Sequence, residues 1–273
     1  MVVRDGPAGL EVLLVRRHGN SGVLGGVHVF PGGKLDAADQ QVAASALDLS
    51  PVALLQALGE PGLDLSTAVG LHVAALRESF EECGLLLGLP AAVPGLVQQV
   101  RALTQAGTHF TTALQRLGLP LAPSSLVPWS RWITPRVPSI TNKRFDTRFF
   151  VTTAPPGQEA EHCRFEATEA VWLAPRAGLE RYWAGEIELA PPQIMTLSQF
   201  SHLGSVAEVL AAARSRPPAL IAPESFDEDG CRVICYPGDP RHSVSQRVWP
   251  GPTRLIFRNQ RFEADGGLAA LLG

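Results

Sequence analysis

The stretch AALRESFEECG at residues 74–84 concentrates ionisable groups among small and apolar residues. Glu78, Glu81 and Glu82 stand at i, i+3 and i+4, so on a helix their carboxylates share one face within about 6 Å of each other. Arg77 offsets part of their mutual repulsion. A divalent cation would offset it more fully, and hard carboxylate oxygens select Mg²⁺ or Mn²⁺. The pattern indicates a magnesium or manganese site, with a solvated helix face as the alternative.

A second stretch that could bind a ligand is the turn FPGG, in which Gly32 and Gly33 end a predicted strand. Two glycines after a strand let backbone amides approach an anionic ligand. The carboxylate helix is predicted to stop at Gly84. A strand, a glycine turn and a carboxylate helix together favour phosphate chemistry.

These residues resemble the signature of the Nudix hydrolase family, G-x5-E-x7-R-E-U-x-E-E-x-G-U, where U is aliphatic. Gly33 opens the match, and residues 77–85 supply its second half. Asp39 stands where the family has glutamate, and Ser79 replaces an aliphatic residue. The spacer from Asp39 to Arg77 holds 37 residues, where the family has seven. The signature is therefore split by an insertion.

The split signature resembles a subgroup of Nudix enzymes, the coenzyme A diphosphatases of the nudix-motif-19 type. Five segments follow that subgroup in the same order: VFPGG (29–33), ALRESFEECG (75–84), WITP (132–135), RFDTRFF (144–150) and APPQ (190–193). The resemblance covers roughly residues 2–200. The sequence departs from the shorter bacterial coenzyme A diphosphatases at Val27, where those enzymes have a glutamate.

The resemblance implies hydrolysis of a diphosphate that joins a nucleoside to another group, with Mg²⁺ or Mn²⁺ as cofactor. It implies that Glu81 and Glu82 are metal ligands, that Glu78 is a ligand or an orienting base, and that Arg77 holds Glu78. A further carboxylate has three candidates: Asp39, Glu166 and Glu169. The preferred substrate is coenzyme A or acyl-coenzyme A, cleaved to 3′,5′-ADP and the corresponding phosphopantetheine. The alternatives are an ADP-ribose or NADH diphosphatase with the same metal site, and a catalytically silent nucleotide-binding module.

Substrate binding would need basic groups for phosphate and a ring face for the base, since coenzyme A carries a 3′-phosphorylated adenosine. The candidates are Gly32, Gly33, Arg16, Arg17, Arg144, Arg148 and Phe145. On a strand, Arg144 and Arg148 point away from the face of Phe145, so one of these two sets is expected to be core or solvent-facing.

The elements that must position these groups are strands and helices in irregular alternation. Strands are predicted at 10–17, 26–33, 131–136, 144–154 and 167–175, and in CRVICY and TRLIFR near the end. Helices are predicted at 189–200 and 205–216, and Ser50 and Ser66 are the predicted N-caps of two earlier helices. This order favours an α/β (α+β) fold with a mixed sheet sandwiched between helices. We predict one domain over 1–273, with a helical insertion at about 40–70 and a helical segment at about 90–125.

Composition narrows the class of protein. The 273 residues carry a net charge of −3, which argues against a general nucleic-acid binder and leaves a small-molecule nucleotide as the expected partner. No apolar run reaches the roughly 18 residues of a membrane span, and the first residues lack the order of a signal peptide. We therefore expect a cytoplasmic protein without membrane association, acting as a monomer or homodimer.

Overall fold

The computed structural model describes residues 1–19, 25–89, 95–135, 144–161 and 167–273. Within these ranges the chain forms a mixed α/β structure. Its strands are β1 (Val2–Gly6), β2 (Gly9–Arg17), β3 (His28–Val29), β4 (Val127–Ile133), β5 (Asp146–Thr153), β6 (Ala167–Leu173), β7 (Ala219–Ile221), β8 (Glu224–Glu228), β9 (Cys231–Cys235), β10 (Arg254–Arg258) and β11 (Arg261–Ala264). Its helices are α1 (Pro51–Leu58), α2 (Leu65–Cys83), α3 (Leu96–Gln105), α4 (Phe110–Arg116), α5 (Pro175–Trp183), α6 (Pro191–Phe200), α7 (Val206–Arg214) and α8 (Gly267–Leu272).

Strand β2 is the centre of the larger sheet. That sheet has seven strands in the order β3-β2-β1-β5-β4-β7, and β6 pairs with β2 as well. The pairs β1–β5 and β4–β7 are parallel, whereas the other pairs of this sheet are antiparallel. The predicted mixed sheet is therefore confirmed.

Both faces of this sheet are buried, and β2 contributes to both because its successive side chains point to opposite sides. Val12 and Leu14 join one core with helices α5 to α8 and the smaller sheet. Leu13 and Val15 join a second core with helices α1 to α4. The sheet is thus sandwiched between helices, as the sequence predicted.

The insertion at 40–70 is less helical than expected. It begins with two 3₁₀ turns, Asp39–Gln41 and Ala44–Ala46, before α1. The predicted cap of α1 is confirmed, because the Ser50 hydroxyl accepts a hydrogen bond from the Ala53 amide at 3.2 Å. The end of the insertion belongs to α2.

The predicted cap of α2 is wrong by two residues. Asp64 caps the helix, since its carboxylate accepts a hydrogen bond from the Thr67 amide at 2.9 Å. The Ser66 hydroxyl instead donates to Asp64 at 2.7 Å. Asp and Ser are equally good caps, so a DLS sequence does not by itself say where the helix begins.

The chain after β7 forms a second, antiparallel sheet in the order β11-β10-β9-β8, followed by α8. CRVICY and TRLIFR supply β9 and β10, as predicted. Strand β8 was not predicted, because its sequence ESFDE is rich in acidic residues, which are depleted in strands. No helix in the described part of the chain is long and apolar enough to cross a membrane.

Candidate active site

Helix α2 carries the carboxylates in its last two turns. Its buried side chains are spaced three and four residues apart, which sets one face against the sheet: Val69, Val73, Leu76 and Phe80. The helix ends at Gly84, which adopts a left-handed conformation with φ 69°. Glycine adopts this conformation without strain. The predicted end of the helix at Gly84 is therefore confirmed by its position as the C-cap.

The glycine turn after β3 rests on the carboxylate helix. The Gly32 amide donates a hydrogen bond to Glu82 Oε2 at 2.8 Å. A Cβ atom at Gly33 would lie 2.3 Å from Glu78 Oε1, so no other residue fits there while Glu78 stays in place. The structure thus brings together the two halves of the split signature. Gly32 and Glu82, which form a hydrogen bond, are 50 residues apart in the sequence.

Arg77 organises the carboxylates. Its guanidinium donates to Glu78 Oε1 and Glu81 Oε2, each at 2.8 Å, and to the Lys34 carbonyl at 2.7 Å. It also donates to both oxygens of Asp39, at 3.1 and 2.9 Å. Arg77 is 4% exposed, and burial opposes its charge. The hydrogen bonds to Asp39 and the charge of Glu78 outweigh burial and raise the pKa of Arg77 above its ordinary value.

Asp39 serves as the partner of Arg77 in this arrangement. It is fully buried, and its second oxygen also accepts a hydrogen bond from the Asp36 amide at 2.9 Å. Its 3₁₀ turn packs closely on α2 at Gly70, where a Cβ would lie 2.7 Å from the side chain of Gln40. Gly70 lies two turns before Arg77, on the same face of the helix.

The donor set suits a hard divalent ion in its chemistry, since it consists of three carboxylates with one arginine between them. As the side chains stand, however, no three His, Cys, Asp or Glu residues in the described ranges are grouped as a metal site. Arg77 donates a hydrogen bond to Glu78 and another to Glu81. The side chain of Glu81 is 43% exposed, so a change of rotamer can release it from Arg77.

Glu169 lies on the other face of the sheet. Arg16 on β2 lies opposite His28 on β3 and Glu169 on β6. The residues next to these three along their strands pack in the core with α2, so these three side chains point to the opposite face. Glu169 Oε2 is 3.7 Å from His28 Nε2. Burial lowers the pKa of His28, although Glu169 opposes this effect. The structure therefore does not bring Glu169 or Arg16 together with the helix carboxylates.

The remaining predicted residues fall in different surroundings. Arg17 alternates with Arg16 and so shares the α2 face, and its Nε atom is buried without a hydrogen-bond partner in the described ranges. Arg144 and Phe145 are exposed just before β5. Glu166 lies outside the described residues.

Arg148 is engaged in an ion-pair cluster that the sequence did not reveal. Its guanidinium donates to both carboxylate oxygens of Glu60, at 2.9 and 2.6 Å. Arg131, its cross-strand neighbour, also reaches Glu60 at 2.9 Å, and both arginines contact Asp146. Glu60 follows α1, so this cluster attaches the insertion to strands β4 and β5. The spacing of 88 residues between Glu60 and Arg148 left no local signal.

Comparison with known proteins identifies the family of the chain. The family model described as the NUDT19 Nudix domain matches residues 56–200, more than half of the chain. The chain belongs to the NUDT19 Nudix family. The matched range contains α2 and the APPQ segment but starts after the glycine turn. The link between the glycine turn and α2 therefore rests on the contacts of Gly32 with Glu82 and of Gly33 with Glu78.

Several Nudix relatives align over most of the chain. The acyl-coenzyme A diphosphatase NUDT19 of Gallus gallus is 27% identical over 92% of this chain and 79% of its own length. The Homo sapiens protein of the same name is also 27% identical, over 76% of this chain and 64% of its own length, so this chain spans less than two thirds of it. A solved Nudix hydrolase from Alicyclobacillus acidocaldarius superposes with a TM-score of 0.61 at 28% identity, covering 80% of this chain and 93% of that one. The predicted Nudix fold is confirmed.

Proposed function

We propose that the protein is a divalent-metal-dependent Nudix diphosphatase that hydrolyses coenzyme A or acyl-coenzyme A. The observation that carries the proposal is the docking of the glycine turn on the carboxylate helix, with Gly32 bonded to Glu82 and Gly33 against Glu78. The printed names of the curated relatives, acyl-coenzyme A diphosphatases, support the choice of substrate. Water would add to one phosphorus of the diphosphate while the bridging oxygen leaves with the other, giving 3′,5′-ADP and phosphopantetheine.

The residues of α2 would perform distinct tasks in this reaction. Glu78, Glu81 and Glu82 would hold Mg²⁺ or Mn²⁺, which neutralises the diphosphate and lowers the pKa of a bound water. Glu82 accepts a hydrogen bond from the Gly32 amide, whereas Glu81 would have to leave Arg77 in order to bind the metal. Arg77 keeps Glu78 in place and limits the repulsion within the cluster.

Basic groups for the substrate phosphates remain available near the ends of the central strands. Arg144 is exposed, and Arg17 has an unpaired, buried Nε atom within the described part of the chain. Arg148 is a weaker candidate than the sequence suggested, because Glu60 takes both sides of its guanidinium. Phe145, 41% exposed beside Arg144, offers a ring face for the base.

The test is product analysis by mass with Mg²⁺ or Mn²⁺ and a panel of coenzyme A, acyl-coenzyme A, ADP-ribose and NADH. Release of 3′,5′-ADP is the expected result. Cleavage restricted to ADP-ribose and NADH would keep the Nudix chemistry and reject the substrate. Binding without turnover of any of the four would favour the silent module.

Replacement of Glu82 by Gln tests the role of the helix. We expect kcat/KM to fall at least a hundredfold, about 2.7 kcal/mol of transition-state stabilisation, with an unchanged circular dichroism spectrum. Glu161→Gln is the matched control, because Glu161 bonds through its amide to the Cys83 carbonyl at the end of α2 but keeps its carboxylate 63% exposed. Equal activity of the Glu82 and Glu161 variants would contradict the proposed site.

A further inference from the structure

A cleft lies beside β3, between the segment that follows α5 and the hairpin of β10 and β11. Its volume is about 330 Å³, within the range of small-ligand pockets. Most of its lining is apolar: Val27, Ile187, Leu189, Ala190, Pro191, Phe257 and Phe262. None of these residues takes part in the arrangement around Arg77.

One wall of the cleft pairs with β3, the strand that leads into the glycine turn. The His28 amide donates to the Glu188 carbonyl at 2.8 Å, and His28 and Leu189 form a parallel bridge. The wall of the cleft and β3 therefore run side by side in the same direction. Gly32 follows His28 by four residues, about 13 Å of extended chain. A substrate whose diphosphate lies at Glu82 could thus reach the cleft with an extended arm.

The charges around the cleft disfavour an anionic occupant. Arg261 lines it, but its guanidinium donates to Glu263 at 2.8 Å and to the Trp183 carbonyl. Glu188, also in the lining, is exposed and would repel a phosphate. The nucleotide end of a substrate therefore belongs elsewhere.

Phe257 gives the cleft an apolar surface that is open to solvent. It is 44% exposed and packs edge-on against Phe262, with ring centroids 5.1 Å apart. Its neighbours at the turn, Asn259 and Gln260, hold positive φ angles of 51° and 59°, so the turn has a defined conformation. An exposed ring over an apolar floor is suited to covering a flexible hydrocarbon chain.

We propose that this cleft binds the acyl chain at the end of the pantetheine arm and so sets the chain-length preference of the enzyme. The inference rests on the proposed function, since it assigns part of the same substrate. Each methylene transferred from water into an apolar site raises binding by up to about fourfold. Specificity constants should therefore rise with chain length until the cleft is filled.

The experiment compares kcat/KM for coenzyme A and for its acetyl, hexanoyl and decanoyl thioesters. In Phe257→Ser, the value for decanoyl-coenzyme A should fall at least tenfold while the value for coenzyme A stays within twofold. Leu220→Ser is the control, because Leu220 is 50% exposed on β7 and does not line the cleft. A loss that is the same for all four substrates, or no loss, would overturn the assignment while leaving the proposed function intact.

Direct binding separates the two hypotheses if no coenzyme A compound is cleaved. Decanoyl-pantetheine, which lacks the diphosphate, can be titrated by calorimetry into the wild-type protein and both serine variants. Binding that Phe257→Ser weakens and Leu220→Ser does not would support the cleft even though the proposed reaction had failed. Absence of saturable binding, or equal affinity in all three proteins, would reject the cleft.

Discussion

The contact between Asp39 and Arg77 offers a quantitative test of how the site is held together. Asp39→Asn removes the charge but keeps the size of the side chain. It weakens two charge-assisted hydrogen bonds, at 3.1 and 2.9 Å, each of about 1.5 kcal/mol. The sum of about 3 kcal/mol is the lower end of the range for breaking a buried ion pair. The lower end applies because Arg77 keeps Glu78, Glu81 and the Lys34 carbonyl.

Urea denaturation followed by circular dichroism measures this loss as a lower midpoint, and calorimetry should show a melting temperature lower by about 5 °C. Asp36→Asn is the matched control. Asp36 lies 3.6 Å from Arg77, but its side chain is 59% exposed, so the expected loss is within about 0.5 kcal/mol. Equal losses in the Asp39 and Asp36 variants would refute the view that the buried pair stabilises the site.

Three further predictions concern other contacts of the site and its surroundings. Gly33→Ala should lower kcat/KM at least tenfold by displacing Glu78, whose carboxylate lies within 2.4 Å of the new methyl group; full activity would contradict the packing. Glu60→Gln should lower the free energy of unfolding by about 2 kcal/mol, because the hydrogen bonds from Arg131 and Arg148 lose their charged acceptor; an unchanged midpoint in urea would mean that the ion-pair cluster contributes nothing. Burial lowers the pKa of His72, so below about pH 6.5 the unfolded chain binds more protons than the folded chain and the free energy of unfolding should fall as the pH drops. The free energy of unfolding of the His72→Leu variant should fall less than that of the wild-type protein between about pH 7 and 5.5. Identical slopes for the two proteins would exclude His72 as a cause.

The parts of the site that depend on neighbouring residues were predictable from the sequence. The i, i+3, i+4 spacing placed the three carboxylates on one face of α2, and Gly84 marked its end. The alternation of β2 also separates Arg16 from Arg17, and parity along β6 could have placed Glu169 on the face opposite α2. These features follow from periodicity within one element.

Contacts between distant segments were not predictable, because no periodicity links their residues. Asp39 and Arg77 are 38 residues apart, and Glu60 and Arg148 are 88 apart. Asp39, which stands where the family has glutamate, was one of three candidates for a further metal-binding carboxylate. In the structure it places a short side chain in a fully buried position against Arg77. A glutamate there would need room for one more methylene, which typically costs about 1–3 kcal/mol in a packed site.

The insertion between Asp39 and Arg77 also has a consequence for how the chain folds. The entropy of closing a loop grows only with the logarithm of its length, so extending the spacer from seven to 37 residues costs about 1.5 kcal/mol. One buried ion pair of about 3 kcal/mol offsets that cost. The insertion therefore changes the free energy of folding little. It does place the glycine turn and α2 far apart in the sequence, and contacts between distant segments form slowly. We expect α2 to form early and the glycine turn to dock on it late, so that the proposed active site is among the last parts of the molecule to be completed.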